Sequence, residues 1–196
     1  MTRTLLLGTR NPGKIAELRA LLKGLDLELP GVGDLADPPP DPSEDAPSYA
    51  ENAIFKARAY ARATGIPTIA DDSGLEVDAL GGAPGVRSRR YFGDDVGETG
   101  RNQMLLALLD GVGDRTARFV SVIAFAQPDG RVETFDGEVR GEIAEAPRGP
   151  EGFGYDPVFV IDGNGRTMAE LRNDEKNAIS HRGLAAAKLR AALAEA

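Results

Sequence analysis

The sequence TLLLGTRNPGK, residues 4–14, joins a short apolar run to a polar turn and a helix start. Thr4 to Gly8 is predicted to form a buried strand, because a compact apolar run ends there at a glycine. Asn11 is a favoured N-cap residue, and Pro12 suits the first helical position. A strand followed by a polar turn and a helix is typical of α/β folds, which bind ligands at strand ends.

The predicted first helix has one apolar face, with residues at three-to-four-residue spacing, and ends near Gly24. Residues 30–47 are rich in proline and acidic side chains, which predicts an extended surface loop. Ser48 then begins a capping box, so a second helix is expected over Tyr49 to Ala63, ended by Gly65.

The remaining pattern alternates strands and helices around turn signals. The predicted strands are Thr68 to Ala70, Phe119 to Ala126, Arg131 to Val139 and Tyr155 to Ile161, and the predicted helices are Gly100 to Leu109 and a tail from about Leu184. Pro128-Asp129-Gly130 predicts a hairpin between two of these strands, and Gly81 to Gly85 predicts an irregular loop. Together the elements indicate an α/β protein with a mixed sheet.

The bulk composition limits the classes of partner and site. With 196 residues, the chain fits one domain, long enough for two lobes around a cleft. Its net charge of −8 argues against binding to a nucleic-acid polymer, and the absence of cysteine excludes disulfides and thiolate chemistry. The longest apolar run, residues 119–126, is too short to cross a bilayer, so we expect no membrane partner and a cytoplasmic protein.

The turn Thr9-Arg10-Asn11-Pro12-Gly13-Lys14 is a candidate anion site. Free N–H groups at a helix N-terminus favour an anion, and Lys14 adds a formal positive charge one turn into the helix. The Gly-x-x-x-x-Gly-Lys spacing of a P-loop is absent. An ordinary capped helix with a solvated lysine is the alternative.

The second candidate is Asp71-Asp72-Ser73-Gly74, predicted to form a turn after a short strand. Adjacent carboxylates suit Mg²⁺, which prefers oxygen ligands and is often shared with substrate phosphates. If strand geometry persisted, the two side chains would point to opposite faces, so at most one would face a ligand. A simple Asp-Ser-Gly turn explains the same residues.

Three further segments carry candidate groups. The acidic pair Glu44-Asp45 could complete a metal shell or could simply be solvated. Glycines around Phe153 would allow close approach of a flat ligand to the segment Gly152 to Asp156, although a buried aromatic is the alternative. The segment Lys176 to Gly183 holds the chain's only histidine, His181, beside Arg182, and such a lone histidine can also be structural.

Taken together and in order, these motifs resemble the inosine/xanthosine triphosphate pyrophosphatases, a family also called HAM1-like or RdgB-like. The matching segments are Thr9 to Lys14, Ser48 to Ala53, Asp71 to Leu75, Gly81 to Gly85, Phe153 to Pro157 and Ser180 to Gly183. The resemblance implies two lobes around a long substrate cleft, a mixed and twisted central sheet flanked by helices, and a homodimer. It also implies Mg²⁺-dependent hydrolysis of ITP, dITP and XTP to the monophosphate and pyrophosphate.

The resemblance also implies roles for individual residues. Asp72 would be the catalytic carboxylate and a metal ligand, and Glu44 the other metal ligand. The substrate-binding set would be Thr9, Arg10, Asn11, Pro12, Gly13, Lys14 and Lys56 for the triphosphate, Ser73 beside the catalytic carboxylate, Phe153, Gly154, Tyr155 and Asp156 for base and sugar, and Lys176, His181 and Arg182 for the oxygen-bearing edge of the base.

Two other functions are weighed against this one. A Maf-like nucleotide pyrophosphatase would act on other bases, and the Ser180-His181-Arg182 motif argues against it. A non-catalytic nucleotide-binding module would not need the intact Asp71-Asp72-Ser73 segment. Incubation with ITP and Mg²⁺, to see whether pyrophosphate or orthophosphate appears, would separate all three from a simple phosphatase.

Overall fold

The computed structural model describes residues 3–195. Its helices are α1 (Pro12–Leu21), α2 (Tyr49–Thr64), α3 (Glu98–Leu108), α4 (Asn173–Ile179) and α5 (His181–Glu195). Its strands are β1 (Arg3–Thr4), β2 (Leu6–Leu7), β3 (Leu27–Glu28), β4 (Thr68–Val77), β5 (Thr116–Ala126), β6 (Val132–Ile143) and β7 (Phe159–Ile161). Among these residues, no helix is both long enough and apolar enough to cross a bilayer.

The main sheet has the strand order β2-β4-β5-β6-β7, and it mixes parallel and antiparallel neighbours. The β2 and β4 strands pair in parallel, with Leu6 opposite Thr68, whereas β6 and β7 pair antiparallel, with Gly141 opposite Ile161. The short strands β1 and β3 form a separate parallel pair. The predicted α/β fold with a mixed sheet is therefore confirmed.

The chain divides into two compact units. Unit 1 comprises the described residues up to Asp72, Ser121–Gly137, and the described residues from Arg182 onward; unit 2 comprises Ser73–Val120 and Glu138–His181. In unit 1, Leu18 of α1 packs in one buried cluster with Leu7 of β2 and Leu189 of α5. In unit 2, the cluster joins residues of β4, α3, β5 and β7. Each unit thus has its own apolar core.

One local prediction is wrong in a way that matters for the site. The segment Asp71 to Gly74 is not a turn, because β4 continues through it as a ten-residue strand from Thr68 to Val77. Leu75 and Val77 are fully buried beyond the acidic pair. Carboxylates can lie inside a strand when buried cations neutralise them, which is the case for both Asp71 and Asp72.

Several predicted boundaries shift. The run Thr4 to Gly8 splits between β1 and β2, and only Phe159–Ile161 of the segment Tyr155 to Ile161 is a strand. The latter difference follows from Pro157, which lies in a short 3₁₀ turn and has no N–H for a sheet ladder. The helix predicted from about Leu184 already begins at His181, and α4, which precedes it, escaped prediction.

Other predictions hold closely. The second helix begins after Ser48, whose Oγ accepts a hydrogen bond from the Glu51 N–H at 3.2 Å, and Gly65 ends it with φ 69°. The third helix starts two residues before the predicted Gly100. The strands β5 and β6 are neighbours, and the Gln127 N–H donates to the Arg131 carbonyl at 2.9 Å across their connection. The predicted hairpin is therefore confirmed.

Candidate active site

The candidate anion site of the sequence, Thr9 to Lys14, contains a well-capped helix start. The Asn11 side-chain oxygen accepts a hydrogen bond from the Lys14 N–H at 3.1 Å, and the Asn11 N–H donates to Thr9 Oγ1 at 3.2 Å. Pro12 occupies the first helical position, as predicted, and Gly13 follows it. This cap fixes the direction in which Lys14 leaves the helix.

Lys14 reaches from α1 to β4. Its ammonium nitrogen lies 2.7 Å from Asp71 Oδ2 and 3.2 Å from the Asp71 carbonyl oxygen. Burial lowers the pKa of Lys14, and the nearby cations of Lys56 and Arg182 lower it further, against the opposing effect of Asp71. The lysine is therefore not the solvated side chain of an ordinary surface helix.

Asp71 is the buried anion of unit 1. Its carboxylate accepts from Lys14 Nζ, from Arg182 Nη2 at 3.2 Å, and from the Ser121 hydroxyl. Burial alone would raise the pKa of Asp71, but Arg182, Lys14 and the Ser121 hydrogen bond hold it well below its usual range. Asp71 therefore stays ionised and organises the cations around it.

Asp72 has different neighbours, as expected for adjacent strand residues. Its Oδ2 accepts a hydrogen bond from Asn52 Nδ2 at 3.1 Å, and its Oδ1 lies 3.3 Å from Lys56 Nζ. Burial raises the pKa of Asp72, and it outweighs the opposing charges of Lys56 and Lys14. A carboxylate with a raised pKa and defined hydrogen bonds suits proton transfer.

Lys56, on the buried face of α2, joins these groups. Its Nζ lies 3.0 Å from Glu44 Oε1 and donates to the Asp71 carbonyl oxygen at 2.9 Å, besides its contact with Asp72. Burial lowers the pKa of Lys56, but Asp72 and Glu44 raise it above its ordinary value. The structure thus brings the predicted Lys14, Lys56, Glu44 and Asp72 into one cluster.

The donor set around Lys56 fits a magnesium ion. The Glu44 and Asp72 carboxylates both contact the same ammonium nitrogen, so their oxygens converge on one region. Mg²⁺ is usually held by one or two carboxylates together with substrate phosphates and water. Residues 3–195 contain no group of three or more His, Asp or Glu side chains that could hold a metal ion.

Arg10 is turned toward the proline-rich loop. Its Nε lies 2.6 Å from Asp41 Oδ1, and its Nη2 donates to the Pro39 carbonyl at 2.8 Å. The Tyr60 hydroxyl of α2 donates to the same Asp41 oxygen at 2.8 Å. Arg10 therefore connects the motif to the loop that carries Glu44, and its predicted contact with substrate stays a prediction.

In unit 2, three predicted residues form a second cluster. Asp156 Oδ2 accepts hydrogen bonds from the Phe153 N–H at 2.8 Å and from Lys176 Nζ at 2.5 Å. The same ammonium nitrogen lies 4.9 Å from the centroid of the Phe153 ring. Gly152 has φ 76°, and a Cβ there would lie 2.2 Å from Asp156 Oδ2, so the turn requires glycine.

The other predicted residues of unit 2 are Tyr155, His181 and Ser73. Tyr155 belongs to the core, and its hydroxyl donates to the Ser88 carbonyl at 2.9 Å. Burial raises the pKa of Tyr155 to about 12. The His181 ring stacks on Phe119 with centroids 4.7 Å apart. Ser73 is half-buried in β4. These contacts do not test the predicted roles in binding substrate.

Arg182 lies in the first turn of α5, and its side chain is 2% exposed. Its Nη1 donates to Glu17 Oε2 of α1, and its Nη2 donates to Asp71. The proposed reading of the base edge by Arg182 stays a prediction, but this arrangement is typical of a buried structural ion network.

Several residues of the two clusters escaped prediction. In unit 1 these are Glu17, Asp41, Asn52 and Ser121. Ser121 interrupts the apolar run of β5, and Asn52 occupies a buried position of α2, so a polar residue at a core position was the available signal. In unit 2, Asn102 of α3 donates to the Gly154 carbonyl at 3.0 Å, a long-range contact that sequence spacing does not reveal.

The sequence model of the Ham1 family matches residues 5–192. The chain belongs to the Ham1 family. The resemblance inferred from the ordered motifs is therefore confirmed, and the Ham1 match covers all of the motif residues described above.

Individual relatives agree with the Ham1 assignment. A protein from Deinococcus deserti named dITP/XTP pyrophosphatase is 50% identical over 190 residues, which cover 97% of this chain and 89% of the relative. A protein of the same name from Geobacter sulfurreducens is 48% identical over 192 residues, covering 97% and 96%. The solved structure of a HAM1 protein from Coxiella burnetii matches with a TM-score of 0.89 at 42% identity, covering 99% of this chain and 100% of that one.

Proposed function

We propose that this protein hydrolyses non-standard purine nucleoside triphosphates, namely ITP, dITP and XTP, to the nucleoside monophosphate and pyrophosphate. Hydrolysis would remove such nucleotides from the nucleotide pool. The relatives named dITP/XTP pyrophosphatase support the reaction class. The observation that carries the proposal is the unit 1 cluster, in which Lys14 and Lys56 both donate to the carbonyl oxygen of Asp71 beside the Asp72 carboxylate.

The charges of this cluster support a requirement for a divalent cation. Three cationic side chains, Lys14, Lys56 and Arg182, contact four carboxylates, those of Glu17, Glu44, Asp71 and Asp72. The cluster therefore carries one excess negative charge, which opposes the approach of a triphosphate. A bound Mg²⁺ would reverse that sign, and the protein's net charge of −8 makes local neutralisation more important.

Glu44 and Asp72 are the residues that would hold Mg²⁺, and the ion would neutralise phosphate charge when bound. The cationic side chains of Lys14 and Lys56 would bind the phosphate oxygens directly. Hydrolysis of a phosphoanhydride depends mainly on positioning and charge stabilisation, so this is the chief work of the cluster. Asp72 would orient or deprotonate the attacking water.

The unit 2 cluster supports recognition of a purine base. The half-buried Phe153 ring offers a stacking surface, and Lys176 supplies a donor held in place by Asp156. Inosine and xanthosine carry an oxygen at position 6, which accepts such a hydrogen bond. Adenine carries an amino group there, which is itself a donor. The Lys176 ammonium would then face another donor, and this unsatisfied contact would weaken binding by about 1–3 kcal/mol.

Incubation with ITP and Mg²⁺, followed by separate assays of pyrophosphate and orthophosphate, tests the proposal. We expect one pyrophosphate and one IMP for each ITP, and no turnover when EDTA is added. Orthophosphate as the first product would contradict it, as would equal kcat/KM for ATP and ITP. The homodimer and the cytoplasmic location implied at the outset stay predictions, and light scattering tests the former.

A further inference from the structure

Asn102 lies on the buried face of α3, and its carboxamide reaches the loop that carries Phe153. The side chain is 4% exposed, and Nδ2 donates to the Gly154 carbonyl at 3.0 Å. Its Oδ1 is buried and accepts no hydrogen bond from any group within residues 3–195. One end of the amide therefore holds the loop, while the other end has no partner in the described chain.

The Gly154 carbonyl determines which end of the Asn102 carboxamide faces the loop. A carbonyl oxygen only accepts hydrogen bonds, so the amino end of Asn102 must face Gly154, and the oxygen must point away from it. A buried oxygen without a donor lowers stability. The nearby buried residues Leu105 of α3 and Leu109, which caps the C-terminus of this helix, are apolar and pack in the core of unit 2. Stability alone would therefore favour an apolar residue at position 102.

We infer that Asn102 is a positioning residue, which holds the peptide at Gly154 so that the Phe153 ring is set for stacking on the purine base. This inference rests on the proposed function, because it takes Phe153 as the base platform. Asn102 acts through the loop and need not touch substrate.

Three of the hydrogen bonds that hold the loop fix different residues of it. Asn102 holds Gly154, Asp156 holds the Phe153 N–H at 2.8 Å, and the Tyr155 hydroxyl reaches the Ser88 carbonyl at 2.9 Å. Gly154 has φ 65° and no side chain, so its peptide can rotate readily once its carbonyl is released. Gly154 is also half-buried, so water can replace the lost donor. Loss of Asn102 should therefore change the loop's position more than the protein's stability.

The test replaces Asn102 with leucine and, as a matched control, replaces the exposed neighbour Gln103 with leucine. For Asn102→Leu we expect a thermal midpoint equal to or above that of the wild type, and a KM for ITP about five- to tenfold higher. We expect kcat to stay within about twofold, because the residues around Asp72 are unchanged. Tripolyphosphate, which has no base, should inhibit wild type and variant with the same Ki. Gln103→Leu should change none of these quantities.

A second variant, Asn102→Asp, keeps the side-chain volume but places a carboxylate against the Gly154 carbonyl. It should raise the KM for ITP as the leucine variant does, and it decides the question if the leucine variant does not fold. The affinity for IMP, measured by calorimetry, provides a readout that needs no turnover. It therefore tests the role of Asn102 in base binding even if ITP is not hydrolysed and the proposed function fails. Unchanged KM and IMP affinity in both variants, or an equal rise in KM and in the tripolyphosphate Ki, would overturn the inference.

Discussion

Arg182 of α5 donates through Nη2 to Asp71 Oδ2 of β4 at 3.2 Å, and both side chains are almost completely buried. The two residues are 111 positions apart in the sequence. Because Glu17 and Lys14 contact the same pair, four charges from α1, β4 and α5 form one network inside unit 1. The cations of this network neutralise Asp71 and so allow the acidic segment of β4 to be buried.

Removal of Arg182 should destabilise the protein. Arg182→Ala leaves the Asp71 and Glu17 carboxylates with one cation fewer, and breaking a buried pair costs about 3–5 kcal/mol. Urea denaturation followed by circular dichroism measures the loss. Arg131→Ala is the control, since its pair with Asp129 lies on the surface and should contribute less than about 1 kcal/mol. Unchanged stability with a raised KM for ITP would instead support contact between Arg182 and the base.

The ionised state of Asp71 should appear in the pH dependence of stability. Its folded-state pKa is depressed, so its contribution is present above the unfolded pKa of about 4 and is lost as the pH falls through the lower folded value. The difference in the free energy of unfolding between wild type and Asp71→Asn should therefore shrink below about pH 4. Urea titrations from pH 3 to 7 measure this difference, and a constant difference would contradict the assignment.

Asp72→Asn should remove activity without unfolding the protein. The amide oxygen can still accept from Lys56, but it cannot take a proton from water, so we expect kcat to fall by about 10²–10⁴-fold. A pyrophosphate-release assay with ITP measures the loss, and thermal unfolding controls for structure. Activity near that of the wild type in a folded variant would exclude Asp72 as the catalytic carboxylate.

Glu44 should affect the metal requirement. Glu44→Gln removes one negative ligand, so the Mg²⁺ concentration that gives half-maximal activity should rise by about tenfold or more. Asp45→Asn is the matched control in the same exposed loop, and it should leave the Mg²⁺ titration unchanged. Equal titrations for Glu44→Gln and wild type would show that Glu44 is only a partner of Lys56.

Much of the secondary structure followed from residues close together in the chain. The Asn11 and Ser48 caps were predictable because each side chain accepts a hydrogen bond from a backbone N–H three residues later. The end of α2 was predictable because Gly65 readily adopts the left-handed backbone conformation found there. Local sequence signals gave a wrong prediction where charged residues far away in the chain determine the structure. The acidic segment at Asp71 has the composition of a turn, and only buried cations allow it to continue as a strand.

The sequence by itself determined the mixed α/β class, the order of the motifs and the kinds of chemical group available, since these depend on neighbouring residues and residue types. Tertiary structure decided which partner each charged group has. Lys56 contacts both Glu44 and Asp72, whereas Lys14 and Arg182 share Asp71. The strength of an ion pair depends on separation and burial, and both are set by packing between elements that lie far apart in the chain.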